Sequence, residues 1–251
     1  MQQAAFDSEG NHIRWTEVPG AEPARVYLHG LGSMSAVYHA HVAARPELVG
    51  TRSLFVDLPG HGTSDRPRGF GYTLEEHADA VAVVLDETGA AGAELIAHSM
   101  GGAVAIVLAY RRPDLVSRLV LTEANLDAFP PLTAGSSGIA AYGEDEFAEG
   151  GYARVLESVG PLWAATMRLA DPRALHRSAV GLRRGSAPVM RSILEGLAVE
   201  RVFLQGEHSG DLEGRESLEA AGVRVVTVPG AGHNVMFDNP DAFVAAVAGT
   251  A

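Results

Sequence analysis

Two residues far apart in the chain, Ser99 and His233, have the types and surroundings for nucleophilic catalysis. Ser99 lies in Leu95-Ile96-Ala97-His98-Ser99-Met100-Gly101-Gly102, where an apolar run of strand character meets a serine with a small residue two positions to either side. If the chain passes from strand straight into helix, the apex residue is held in a strained conformation and the residues flanking it are crowded, so only small ones fit. Alanine instead of glycine at the first small position, Ala97, adds one methyl group. The five-residue pattern arises by chance in chains rich in alanine and glycine, so its setting must carry the assignment. His233 lies in Pro229-Gly230-Ala231-Gly232-His233-Asn234, a glycine-rich loop able to bring an imidazole to the serine from the far end of the chain. Imidazoles titrate near neutrality and can reach a hydroxyl, which is what a general base needs. Taken alone, His233 reads equally well as an exposed loop histidine. A third segment, His29-Gly30-Leu31-Gly32, has glycines that let the backbone aim an amide at an oxyanion, with Leu31 N–H paired to Met100 N–H as the candidate hole. Alone, it would be a glycine turn into a helix.

The elements that must position these groups are readable. Asp7-Ser8-Glu9-Gly10-Asn11 is a turn cluster between two short extended pieces and predicts a hairpin. Apolar runs then recur at 25–28, 53–56, 94–97, 115–121, 199–204 and 223–228 with helical segments between them. Continuous apolar strands alternating with helices define an α/β fold, a parallel sheet covered on both faces. Thr73 with Glu76 three residues on marks a helix start, followed by Ala78, Val81, Val84 and Leu85 on one face. A second helix runs from Gly101 to Tyr110, directly after the serine, with Pro113 beyond its end. From about Asp127 to Pro188 the pattern is helical without a strand, far longer than the usual connection of about 4 to 6 residues. This predicts a core of residues 1–126 and 189–251 with a helical lid inserted at 127–188.

Composition narrows the partners. The chain has 251 residues, 47% hydrophobic and 20% charged, enough for one well-packed domain. A net charge of −12 argues against nucleic acid or an anionic membrane, both of which need a basic face. With no cysteine, disulfides, thiolate metal sites and a cysteine nucleophile are all excluded. The first ten residues have neither the basic start nor the apolar run of a secretory signal, and no apolar stretch approaches the roughly 20 residues needed to cross a bilayer. The expectation is a cytoplasmic enzyme that requires no cofactor and no metal. A metal hydrolase built on His29, His61 and His233 lacks an accompanying carboxylate-rich cluster. Oligomeric state is not legible.

Together, His29-Gly30-Leu31-Gly32, Asp57-Leu58-Pro59-Gly60-His61-Gly62-Thr63-Ser64, Ala97-His98-Ser99-Met100-Gly101-Gly102 and Gly232-His233 resemble the α/β-hydrolase family in order and spacing, over nearly the whole chain. The resemblance implies an eight-stranded, mostly parallel sheet, a helical cap between strands six and seven, and a triad in the order serine, acid, histidine. Many members carry the acid after strand seven in a Gly-x-x-Asp pattern, but here Gly206-Glu207-His208-Ser209-Gly210-Asp211 puts Ser209 in its place. A minority, including many haloalkane dehalogenases, carry it after strand six, where this chain has Glu123. A carboxylate leaving a buried strand needs a partner to offset desolvation, and an imidazole held in one tautomer is such a partner. Glu123 is therefore the expected acid, Asp211 the alternative and Glu207 the third choice. His61 is assigned a structural role.

The expected reaction is hydrolysis of a carboxylic ester or lactone of a small, largely apolar molecule through an acyl-enzyme. Thioesters and carbon–carbon bonds can be cleaved by the same constellation, and a non-catalytic ligand receptor of this fold is the rival from another class. Phe129, Trp163, Met167 and Met236 are the candidate pocket residues. Leu169, Val235 and Phe237 add to the apolar set, although such spacing also describes ordinary packing. Glu144-Asp145-Glu146 suits a helix start. Arg183 and Arg184 could meet a substrate carboxylate, but a solvated face explains them as well.

Overall fold

The computed structural model describes residues 1–129 and 137–250, so the part of the expected lid at 130–136 lies outside the described residues. Its strands are β1 (Gln2–Ala5), β2 (His12–Val18), β3 (Ala21–Leu28), β4 (Thr51–Asp57), β5 (Ala93–His98), β6 (Val116–Thr122), β7 (Glu200–Gly206) and β8 (Arg224–Val228). They form one sheet in the order β1-β2-β4-β3-β5-β6-β7-β8. The β1–β2 and β2–β4 pairs are antiparallel and the rest parallel. The Asp7 turn closes the first hairpin, its carboxylate accepting from the Glu9 and Asn11 amides at 3.0 Å each.

The central strands read as unbroken apolar runs because both faces are covered. Val26, Leu28, Leu54, Val56, Leu95, Ala97, Leu119 and Leu121 enter one core, while the alternate residues Tyr27, Phe55, Ile96 and Val120 enter the other. Side chains on a strand alternate in direction, so a sheet between two helical layers needs apolar residues at both parities. The flanking helices in chain order are α1 (Ser35–Ala43), α2 (Leu74–Thr88) and α3 (Met100–Arg111) before β6, and α9 (Arg215–Ala220), α10 (Val235–Asp238) and α11 (Pro240–Ala248) after β7. At the head of α2, Thr73 Oγ1 accepts from Glu76 N–H at 3.2 Å, and Glu76 accepts from Thr73 N–H at 3.0 Å. This reciprocal cap is the one predicted from the two residue types.

Between β6 and β7 lie α4 (Glu144–Glu146), α5 (Tyr152–Ser158), α6 (Pro161–Met167), α7 (Pro172–Arg184) and α8 (Met190–Gly196), with a π turn at Phe147–Gly151 joining α4 to α5. The acidic cluster at the start of α4 is more than a dipole complement. Glu144 accepts from Arg177 at 2.8 Å, and Asp145 from Arg173 at 2.6 Å, tying α4 to α7. The Arg177 guanidinium holds the Glu144 carboxyl down at about 2. Among the described residues, no helix is long and apolar enough to cross a membrane.

Candidate active site

β3 has β4 on one side and β5 on the other, so the chain reverses its direction of travel across the sheet at this point. In open parallel sheets, ligands collect at the carboxyl ends of strands beside such a reversal. Here those ends carry Gly30 and Leu31 after β3, Ser99 after β5, Glu123 after β6 and His233 after β8.

Ser99 is the residue between β5 and α3, with φ 52° and ψ −121°. Its N–H donates to Thr122 O at 2.9 Å, anchoring the turn to the end of β6. The demand for small neighbours has a different source from the one expected for Gly101. A Cβ there would lie 2.5 Å from His29 O and 2.8 Å from Leu28 O, so the main chain at the end of β3 and just after it excludes a side chain. Glycine is required because α3 starts directly against that strand.

Met100 is the first residue of α3, so its amide is one of the N–H groups for which a helix has no internal acceptor. The Gly30–Leu31 peptide is held by two bonds to the Gly30 oxygen, from His29 Nδ1–H at 2.7 Å and Ser33 N–H at 3.1 Å. A trans peptide has its C=O and N–H on opposite sides, so this clamp turns Leu31 N–H away from the Ser33 turn. The Leu31 oxygen is held in turn by Trp163 Nε1–H at 2.7 Å, a tie from α6. His29 is fully buried, accepts from Leu58 N–H at 3.0 Å on its other nitrogen, and is pushed down to about 4 by desolvation. It is a neutral brace for the loop. His61 is likewise buried, bonded to Pro59 O at 3.1 Å and pushed down to about 3 by burial. Its structural assignment agrees with this geometry. Among the described residues, no three His, Cys, Asp or Glu side chains come together in a way that could hold a metal ion.

Glu123 reaches the histidine. Its Oε2 lies 3.5 Å from His233 Nδ1, while its Oε1 accepts from Gly206 N–H at 2.6 Å. The carboxylate thus spans from the end of β6 across the end of β7 to the loop after β8. Its side chain is 9% exposed, against 55% for His233. Glu123 also has φ 51°, and the described residues include only two other non-glycine positions with positive φ, Ser99 and Tyr72. A non-glycine residue in this region costs about 1–3 kcal/mol and persists where surrounding structure enforces it, typically at functional sites. Asp211 lies elsewhere, lining an open surface depression with Glu207, Arg215 and Thr227. Glu207 binds the backbone of the histidine loop, accepting from Gly230 N–H at 2.8 Å. Ser209 is exposed.

Ser99, His233 and Leu31 line one cavity of about 180 Å³. Phe129 and Trp163, two of the four expected pocket residues, line it as well. Met167 and Met236 do not. Both are fully buried, Met167 in the core containing Leu175 and Met236 in the core on the opposite face of the sheet. Their spacing matched a pocket wall, but their side chains point into packing. Ala140, Ala179 and Leu182 complete an apolar wall, and Asn125, Tyr38 and His98 add polar groups that sequence reasoning did not assign to the pocket. Asn125 stands two residues beyond Glu123 on the same strand-end loop, the one local signal that could have found it. Neither Arg183 nor Arg184 lines the cavity.

A sheet of this order with a strained serine between β5 and α3 is the architecture of the α/β-hydrolase fold, and the model of that family matches residues 24–195. The chain belongs to this family. It is 29% identical to an esterase of Mycobacterium tuberculosis, over 94% of this chain and 84% of that one. It is also 27% identical to the 2-(acetamidomethylene)succinate hydrolase of Mesorhizobium japonicum, over 91% and 87% of the two chains. An enol-lactonase structure from Burkholderia xenovorans shares the fold, with a TM-score of 0.78 at 23% identity, covering 99% of each chain. The two sequence relatives are hydrolases and support hydrolysis as the class of reaction here, while the lactonase structure shows the shared fold.

Proposed function

We propose that this protein is a serine hydrolase that cleaves a carboxylic ester or lactone of a small, largely apolar molecule through an acyl-enzyme. The observation that carries the reading is the shared cavity of Ser99, His233 and Leu31, with the Glu123 carboxylate 3.5 Å behind the imidazole. In this reading His233, oriented by Glu123, takes the Ser99 proton as the hydroxyl oxygen attacks the substrate carbonyl. The Leu31 and Met100 amides receive the developing oxyanion. The imidazolium returns its proton to the leaving alcohol, or to the ring oxygen of a lactone. Water, deprotonated by the same imidazole, then releases the acid and restores Ser99.

In this reading the cap is residues 127–188, with α4 to α7 as its helices, and α8 belongs to the core. Phe129, Ala140, Trp163, Ala179 and Leu182 all come from that segment, which supports assigning substrate selection to it. A mostly apolar cavity of about 180 Å³ suits a short acyl group. The relatives' names, esterase and enol-lactonase, point to the same bond class.

The test is stoichiometric labelling by a fluorophosphonate together with turnover of p-nitrophenyl acetate and butyrate. Ser99→Ala is expected to abolish both. Retained esterase activity in Ser99→Ala overturns the proposal, and labelling without turnover across ester, lactone and thioester substrates assigns the chain to the receptor class.

A further inference from the structure

His98 immediately precedes the nucleophile, and the mechanism above does not use it. It is 3% exposed. Its Nε2 lies 2.9 Å from the main-chain oxygen of His233, and its ring centroid lies 4.8 Å from that of His233. A carbonyl only accepts, so Nε2 carries the proton. Nδ1 is then the bare nitrogen, and it is buried with no hydrogen-bond partner. Burial and the neighbouring His233 hold the His98 ring neutral.

The other contacts of His98 are equally specific. Tyr38, from α1, stacks on the ring with centroids 5.8 Å apart. Gly30 of the oxyanion loop abuts it so closely that a Cβ at Gly30 would lie 3.1 Å from His98 Nδ1 and 3.1 Å from Ser99 Cβ. The imidazole thus fills the space where the elbow, the oxyanion loop and the histidine loop converge. The His233 loop has other ties, from Gly232 N–H to Asp238 at 2.9 Å and from Gly230 N–H to Glu207 at 2.8 Å. Both are made by residues that precede His233, and both are exposed pairings. The bond from His98 is the tie made to His233 itself from the strand that carries the nucleophile.

We infer that His98 is a positioning residue, whose Nε2–H bond to the His233 carbonyl sets the distance between the general base and Ser99. The inference rests on the proposed roles of Ser99 and His233. The His233 imidazole is half-exposed and meets Glu123 on one nitrogen and the His98 ring on one side. Its distance from Ser99 therefore depends on where its main chain is held, and a 1 Å misplacement in an active site can cost about 100-fold in rate.

Four variants test this: His98→Gln, His98→Asn, His98→Phe and His233→Ala. Glutamine places an N–H close to where Nε2 stands, whereas asparagine is too short to reach it and phenylalanine has no donor. With a p-nitrophenyl ester, His98→Asn and His98→Phe are expected to lose about 10- to 100-fold in kcat with KM within threefold of the parent, and His98→Gln to recover most of the loss. Introduced into His233→Ala, the Asn or Phe change is expected to cause no further loss, because the group it positions is gone. Thermal unfolding identifies any variant that fails to fold, and the Gln–Asn pair decides the question if Phe is not tolerated. Full kcat in His98→Asn, or equal losses in the His98 variants with and without His233, overturns the inference. Full activity in His233→Ala instead overturns the functional reading on which it rests.

Discussion

Replacing Glu123 by glutamine changes one atom of a side chain that makes two contacts, and the two respond differently. The bond from Gly206 N–H to Oε1, 2.6 Å long, survives because the amide oxygen of glutamine also accepts. The second contact, 3.5 Å from Oε2 to His233 Nδ1, becomes an NH₂ group facing a ring N–H. The ring relieves that clash by moving its proton to Nε2, and in the proposed mechanism Nε2 can then no longer take the Ser99 proton. The charge is lost as well. At 3.5 Å two unit charges attract by about 1 kcal/mol at the dielectric of water and about 5 kcal/mol at an effective dielectric of 20. A pair with one 9% exposed and one 55% exposed partner falls between these limits, at about 2–3 kcal/mol, or roughly 30- to 150-fold in rate. The tautomer error costs more, up to about 10⁴-fold where the same exchange is made in a serine protease triad. Glu123→Gln is therefore expected to lose about 10²- to 10⁴-fold in kcat on a p-nitrophenyl ester, with little change in thermal midpoint. Asp211→Asn, in its separate surface depression, is expected to keep the parental rate. A Glu123→Gln enzyme within threefold of the parent, or an Asp211→Asn enzyme equally impaired, would refute the argument.

Two more outcomes follow from the buried polar groups. Burial pushes His29 down to about 4 and His39 and His61 to about 3, so in each the folded state releases its proton at lower pH than the unfolded chain, which titrates near 6.5. Their contribution to stability is full above about pH 6.5 and is lost as pH falls toward 4 and below, at about 1 kcal/mol per pH unit for each such histidine. Asp57, raised by burial, opposes this trend only in the carboxylate range. Urea unfolding at pH 7.5, 6.5 and 5.5 should show a falling free energy, with a shallower slope in His61→Asn; a flat profile contradicts the neutral-imidazole assignment. Trp163→Phe keeps the ring but removes the 2.7 Å bond to the Leu31 oxygen, leaving an acceptor without its donor at a cost of about 1–3 kcal/mol. A loss in kcat of about tenfold is expected, and a change confined to KM would make Trp163 a cavity wall only.

Local chemistry was enough to read the scaffold. Thr73 and Glu76 encode a helix cap within four residues, the Asp7 turn encodes its hairpin, and unbroken apolar runs encode strands covered on both faces. The strand–serine–helix succession around Ser99 is likewise a property of contiguous residues. Everything that depended on which distant atoms meet had to wait for the tertiary structure. Glu123 and Asp211 are both carboxylates after apolar strands. The sequence favours Glu123 because Ser209 stands at the usual acid position and a carboxylate leaving a buried strand needs a partner, but it does not show its contact with an imidazole more than a hundred residues away. The answer comes from the order of strands, which puts the ends of β6 and β7 beside the loop after β8, and from the Gly206 amide that fixes the carboxylate there. Met167 and Met236 were misplaced in the pocket for the same kind of reason, since periodicity tells that a residue is buried but not in which cavity or core. Gly101 owes its identity to carbonyls of β3, and His98 owes its place to the loop of His233. Propensity and periodicity act between neighbours in sequence, whereas a catalytic constellation is a set of contacts between strand ends that only the folded sheet brings within a few ångströms.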